Sequence, residues 1–172
     1  DVPLKEYLTL SKDKKNRLKQ FHVGVEFPEK PLPFDPYIYG AWLGDGCATI
    51  PSLHTPDGPM ARRWCEYWNA YPGMKAVSLK QKPGKCPAWR ASKSTTAKGP
   101  NPFSEFMATS VRNGVKFIRE EYLINSRENR LKLLAGLLDS DGWQESGGRS
   151  YSFVNKDEKF VRQVCWLARS LG

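Results

Sequence analysis

Two aspartates, Asp45 and Asp141, close two similar stretches of this chain, and what they offer is the chemistry of paired carboxylates. Leu134 to Gly142 reads Leu-Ala-Gly-Leu-Leu-Asp-Ser-Asp-Gly, and Ile38 to Gly46 reads Ile-Tyr-Gly-Ala-Trp-Leu-Gly-Asp-Gly. Gly40 answers Gly136 and Asp45 answers Asp141, so the chain carries an internal repeat. Leu131, Leu134 and Leu138 fall at helical spacing, which predicts a helix from about Glu128 to Asp139, ended by Gly142. A glycine inside a helix costs roughly 1 kcal/mol against alanine. Gly40 and Gly136 therefore call for a reason, and close approach of two helices supplies one. Packed side by side and parallel, the two helices would bring Asp45 and Asp141 together at their C-termini. There the helix dipole and the other carboxylate both disfavour ionisation. A divalent cation relieves that repulsion, and two carboxylates in oxygen-rich surroundings suit Mg²⁺.

Leu134 to Gly142 resembles the second motif of the LAGLIDADG (dodecapeptide) homing endonucleases, and Ile38 to Gly46 resembles the first. Ninety-six residues separate Asp45 from Asp141, a distance that suits a single chain of two pseudo-symmetric halves. Gly114-Val115-Lys116-Phe117-Ile118 is similar to the lysine-containing block that precedes the second motif in intein-encoded members. The resemblance covers most of Pro33 to Gly172. It implies an α+β fold of two αββαββα halves carrying a DNA-binding β saddle, and site-specific cutting of both strands of a long double-stranded DNA target. It also implies that Asp45 and Asp141 hold Mg²⁺, with Mn²⁺ as a substitute, and that backbone carbonyls at Gly44 and Ser140 complete the coordination. Lys116 would orient or activate an attacking water, or stabilise phosphorane charge. Asp139 has no acidic counterpart at Leu43, so a structural role is expected for it. Two other classes stay open: an RNA-binding maturase on the same scaffold, and a non-catalytic DNA-binding remnant of an intein.

The net charge of +9 implies an anionic partner. Between Lys75 and Lys98 there are seven cations and no acid, so this segment supplies most of the excess. Trp89, Ser92, Ser94, Thr95 and Thr96 are interleaved with them, a mixture suited to phosphates and base edges. Lys80, Lys82, Lys85, Trp89, Arg90 and Lys93 are the candidate DNA contacts on a first half-site, with Arg149 and Lys156 on a second. No run of residues approaches a membrane span, and the start of the chain lacks a signal-peptide pattern, so an intracellular place is expected. Cys47, Cys65, Cys86 and Cys165 are scattered without a C-x-x-C pair, which reads as idle thiols in a reducing compartment.

In chain order, residues 1–32 read as a peripheral segment joining to a splicing domain, 33–126 as the first half and 127–172 as the start of a second. A short helix is expected at Leu4 to Leu10, a basic run follows from Lys12 to Lys19, and a strand is expected at Phe21 to Phe27. Residue 1 is not Cys or Ser, no Thr-x-x-His occurs early, and the end is not His-Asn, so the chain should not splice by itself. Asp35 is a predicted N-cap with Pro36 at the first helical position. Cys47 to Leu53 is expected to be a strand, and Met60 to Tyr71 a helix whose aromatic stripe is core. Lys75 to Lys82 and Pro87 to Ser94 should form a basic hairpin, followed by a helix from Phe103 to Asn113 ended by Gly114. After the second motif come strands at Trp143 to Ser146 and Ser150 to Asn155, then a helix from Asp157 to Leu171. The second half then lacks a further hairpin, a closing helix and its own lysine. A continuation or a second chain is expected to complete it, leaving Phe160, Val161, Val164 and Leu167 partly uncovered meanwhile.

Overall fold

A computed structural model describes residues 2–18, 23–148 and 150–172. The elements run α1 (Leu4–Thr9), α2 (Lys12–Arg17), α3 (Pro36–Asp45), β1 (Ser52–His54), α4 (Gly58–Ala70), β2 (Met74–Leu79), β3 (Ala88–Lys93) and α5 (Pro102–Ala108). They continue as β4 (Val111–Arg112), β5 (Val115–Lys116), α6 (Glu120–Leu123), α7 (Arg127–Asp141), β6 (Gly142–Gln144), β7 (Tyr151–Phe153) and α8 (Glu158–Ser170). Helices and small antiparallel sheets are mixed along the chain, an α+β fold.

The centre is α3, buried on every side from Pro36 to Leu43, as a helix that is apolar all round must be. It starts where the sequence predicts. The Asp35 carboxylate accepts from the backbone N–H groups of Tyr37 and Ile38, and Pro36 occupies the first turn. Around it gather Phe34, Trp64, Trp68, Phe103, Phe106 and Tyr122, several of them in edge-to-face contact. The aromatic stripe of α4 is therefore core, with Trp64 and Trp68 wholly buried.

Against α3 lies α7, which runs from its Ser126 N-cap to Asp141, two residues beyond the predicted end. Its buried residues are Arg130, Leu133, Gly136 and Leu137, and not the Leu131-Leu134-Leu138 stripe that first suggested the helix. Leu131 is 41% exposed. The glycine decides this orientation, because the face of α7 that meets α3 has to be the one without a Cβ at the crossing. Arg130 is buried by using its donors: it bonds the carbonyls of Asn125, Ser170 and Val25 and the Ser170 hydroxyl.

The basic hairpin forms as β2 paired with β3, with β1 on the other side of β3. The expected strand at Cys47 to Leu53 reduces to a single bridge, Gly46 to Leu53, followed by β1, because Pro51 has no N–H for a ladder. The helix expected to reach Asn113 stops at Ala108. Asn113 and Gly114 both have positive φ, 53° and 77°, and turn the chain between β4 and β5, as an Asn-Gly pair does in a type I′ hairpin.

Two expectations about the flanks change. Val23–Phe27 is irregular rather than a strand, and Phe21 and His22 lie outside the described residues. The face of α8 expected to be partly uncovered is buried at Phe160, Val164 and Leu167. Phe153 covers Phe160, and the end of the helix is held by Arg130 and by the Val25 N–H, which donates to the Ser170 carbonyl at 2.8 Å. Exposed apolar side chains in this part of the chain include Trp143 at 51%, Tyr151 at 60%, Val154 at 64% and, on α8 itself, Trp166 at 40%. Among the described residues no helix is long and apolar enough to cross a membrane.

Candidate functional site

α3 and α7 run in the same direction and touch through their glycines. A Cβ on Gly40 would stand 2.4 Å from the Leu133 carbonyl oxygen, and one on Gly136 would stand 2.2 Å from that of Tyr37. One turn further on, a Cβ on Gly44 would meet the Ser140 hydroxyl at 2.0 Å and the Asp141 carboxyl carbon at 3.3 Å. Ser140 is held there by donating to the carbonyls of Gly136 and Leu137. Asp45 and Asp141 are the last residues of the two helices and so sit at one end of the pair. Burial, and then the charge of Asp141, raise the Asp45 carboxyl to about 6, while a hydrogen bond from Thr55 and the charge of Lys116 pull it down.

The sign of that shift gives a stability prediction. A carboxyl raised in the folded state favours folding below its ordinary value and loses that contribution as pH climbs through about 6. Asp45→Asn, always neutral, should therefore raise Tm at pH 8 and leave it unchanged at pH 4. At a half-buried carboxyl, solvent screening keeps the gain near 1 kcal/mol, or about 3 °C in a chain of this size. Thermal melts at the two pH values check this, and equal shifts at both would contradict it.

Lys116, at the end of β5, donates to the carbonyls of Trp42 at 3.0 Å, Gly44 at 2.9 Å and Gly46 at 2.8 Å. All three ammonium protons are thus on the C-terminal turn of α3, where a cation also meets the negative end of the helix dipole. Burial lowers the lysine to about 8, against the upward pull of Asp141, Asp45 and Cys47. The Gly44 carbonyl expected as a metal ligand accepts from Lys116 and keeps its second lone pair. Asp139 takes the structural role expected of it by accepting from the Tyr37 hydroxyl at 2.8 Å.

The carboxylates suit Mg²⁺, which is held by one or two carboxylates and keeps several waters. Among the described residues no group of three or more His, Cys, Asp or Glu side chains comes together, the arrangement that zinc or an all-protein calcium cage would need. Asp45, Asp141 and the carbonyls beside them are the oxygens that could hold such an ion.

The pleat divides the basic candidates. Arg90 pairs across with Val77 and Lys75 with Ser92, which puts Arg90, Lys75 and Ser92 on the outer face of the sheet. Trp89 lies on the opposite face and packs against the core. Lys93 shares that side, and its ammonium bonds the Gly99 carbonyl. Lys80, Lys82 and Lys85 are exposed around the loop after β2, and Lys156 is exposed before α8. Arg149 lies outside the described residues. The sequence reading did not single out Thr55 or Asn155, which face the two aspartates. Their one sequence signal is the Asp two residues later, which caps the following helix in each case.

No family model matches the chain. A replicative DNA helicase DnaB from Mycobacterium intracellulare is 28% identical over 148 residues, which make up 86% of this chain and 21% of that protein. The chain thus spans about a fifth of the length of the curated relative it matches.

Proposed function

We propose that this chain is the endonuclease part of an intein, of the LAGLIDADG homing type, and that it hydrolyses both strands of a long double-stranded DNA target with Mg²⁺. The observation that carries the reading is the glycine-to-glycine packing of α3 and α7, which sets Asp45 and Asp141 side by side next to a buried lysine. The repeat that resembles the family's two motifs is the same pair of helices. On this reading the protein works inside the cell, on DNA, and a continuation or second chain completes the second DNA-contacting surface.

When bound, Mg²⁺ supplies a water of lowered pKa and neutralises charge on the phosphate being cut; Mn²⁺ would substitute. The protein's part is to position. Asp45 and Asp141 present oxygens from two rigid helix ends, and Gly44 and Ser140 offer carbonyls beside them. Lys116 fixes the last turn of α3 and adds a positive charge for the phosphate. Its proton inventory is fully used in the resting arrangement, so orienting a water requires it to release one carbonyl. Arg90, Lys75 and Ser92 on the outer face of the sheet, with Lys80, Lys82 and Lys85 beside them, take the DNA backbone and base edges.

A second reading follows from the DnaB likeness, that the chain is part of a helicase motor. Such a motor needs a phosphate-cradling Gly-Lys-Ser or Gly-Lys-Thr loop. Here the only Gly-Lys pair, Gly84-Lys85, is followed by Cys86. On the proposed reading the matched fifth of that helicase is an inserted element.

Asp141→Asn should lower Mg²⁺-dependent cleavage of a target duplex by about a thousandfold, the loss of several kcal/mol of transition-state stabilisation. DNA affinity should stay within about twofold and fall steeply as salt rises. Cleavage retained by Asp141→Asn would refute the catalytic assignment. Wild-type protein that binds DNA without cutting would favour the remnant, and preference for intron RNA the maturase.

A further inference from the structure

Each aspartate is followed by a hairpin that returns to it in the same way. The residue after Asp45, Gly46, bridges Leu53, and the residue after Asp141, Gly142, pairs with Phe153. Two residues past each partner stand Thr55 and Asn155. Thr55 is 1% exposed, and its hydroxyl accepts from the Asp57 N–H at 3.1 Å. Asn155 accepts from the Asp157 N–H through Oδ1, also at 3.1 Å. Asp57 and Asp157 in turn cap α4 and α8 by accepting from the N–H groups of Met60 and Phe160. With its acceptor engaged by backbone, each side chain has its donor left over. Thr55 bears on Asp45, whose carboxyl it lowers, and Asn155 Nδ2 donates to Asp141 Oδ2 at 3.5 Å. The hairpins differ in length, ten residues from Asp45 to Thr55 against fourteen from Asp141 to Asn155. That difference hides the correspondence from any fixed-period comparison.

We propose that Thr55 and Asn155 are a matched pair of positioning residues, each locked by a helix cap and each orienting one of the two aspartates toward a divalent cation. The inference rests on the metal-dependent reading above and adds residues to its site. A donor on one carboxylate oxygen leaves the other oxygen free to ligate and fixes the plane in which its lone pairs point. Neighbours of this kind govern metal affinity as well as geometry, and their removal weakens binding about ten- to a hundredfold.

The test is titration of the whole chain with MnCl₂, following free Mn²⁺ by electron paramagnetic resonance, with a thermal melt of each variant. Thr55→Val, at constant shape, and Asn155→Val both lose the donor and should weaken Mn²⁺ binding about tenfold or more. Thr55→Ser retains the hydroxyl, and Asn155→Thr copies the first site into the second, so both should bind within about threefold of wild type. Where a Val variant does not fold, the Ala variant takes its place. Val variants that bind Mn²⁺ as wild type does, with only a lower Tm, would show two helix caps and overturn the inference. Asp45→Asn should abolish uptake. Should wild type itself take up no Mn²⁺, the nuclease reading falls together with this one, whereas loss in Asp45→Asn alone leaves that reading standing and removes only the positioning pair.

Discussion

Gly136→Ala is expected to unfold this protein or bring it close to unfolding, although alanine is the better helix former. The propensity gain is about 1 kcal/mol. The added methyl would stand 2.2 Å from the Tyr37 carbonyl oxygen and 2.8 Å from the Ala41 nitrogen, both backbone atoms of a helix packed on all sides, so neither can turn away. The two helices would have to move apart by more than 1 Å along the most extensive contact in the core. Overpacking of that severity costs about 3 kcal/mol or more, against a total stability of roughly 5–15 kcal/mol. Urea unfolding measures it. A control one residue away isolates the propensity: Ala135 is exposed on the same helix, and Ala135→Gly should cost about 1 kcal/mol through backbone entropy alone, so alanine is the better residue there and the worse one at 136. A Gly136→Ala protein as stable as wild type would mean that the helices do not meet at their glycines. The aspartates depend on that crossing, so any folded Gly136→Ala protein should also lose Mn²⁺ binding.

Lys116→Met should be the most damaging single change near the site. It leaves three carbonyls at the end of α3 without their donor, a loss of about 2–3 kcal/mol for a charged donor set. It also takes away a cation that lowers the Asp45 carboxyl. The Asp45 proton affinity then rises further above its value of about 6. The stability contribution lost on ionisation grows accordingly, so the damage is smaller at pH 5, where Asp45 is largely protonated, than at pH 7.5. Urea midpoints of wild type and Lys116→Met at the two pH values separate these effects. The hydrogen-bond part is common to both, and the difference between them reports the charge coupling. Identical losses at pH 5 and pH 7.5 would show that Lys116 and Asp45 do not sense each other.

What the sequence made legible is local. Asp35-Pro36 announces the start of α3, and the interior glycines at 40 and 136 announce a crossing, because few other needs put glycine in the middle of a buried helix. Asn113-Gly114 was read as a helix end when it is a hairpin turn, and the longer helix expected over it fails because an Asn-Gly pair favours φ above zero. Tertiary geometry was not legible. Leucine periodicity suggested a helix near the right place but pointed to the wrong face, since Arg130 satisfies its guanidinium with carbonyls from three other segments and is buried where a leucine was expected. Trp89 and Arg90 looked alike as DNA contacts in a basic run, and only the pleat separates one facing the core from one facing outward. Lys116 stood out through its resemblance to the family's lysine block, but its contacts did not, because its partners are backbone oxygens some seventy residues earlier.

Arg130 and Ser170 also fasten the two flanks of the body to each other. They bring the backbone around Gly24 and Val25 against that of Ser170 and Leu171, with a Cβ on Gly24 only 3.0 Å from the Leu171 carbonyl oxygen. Backbone some 145 residues apart in sequence (170 − 25) is thus clasped at one point. The clasp is made near the N-terminal end of α7, at Arg130, whereas Asp141 is the last residue of the same helix, so it leaves the acidic end of the helix pair uncovered.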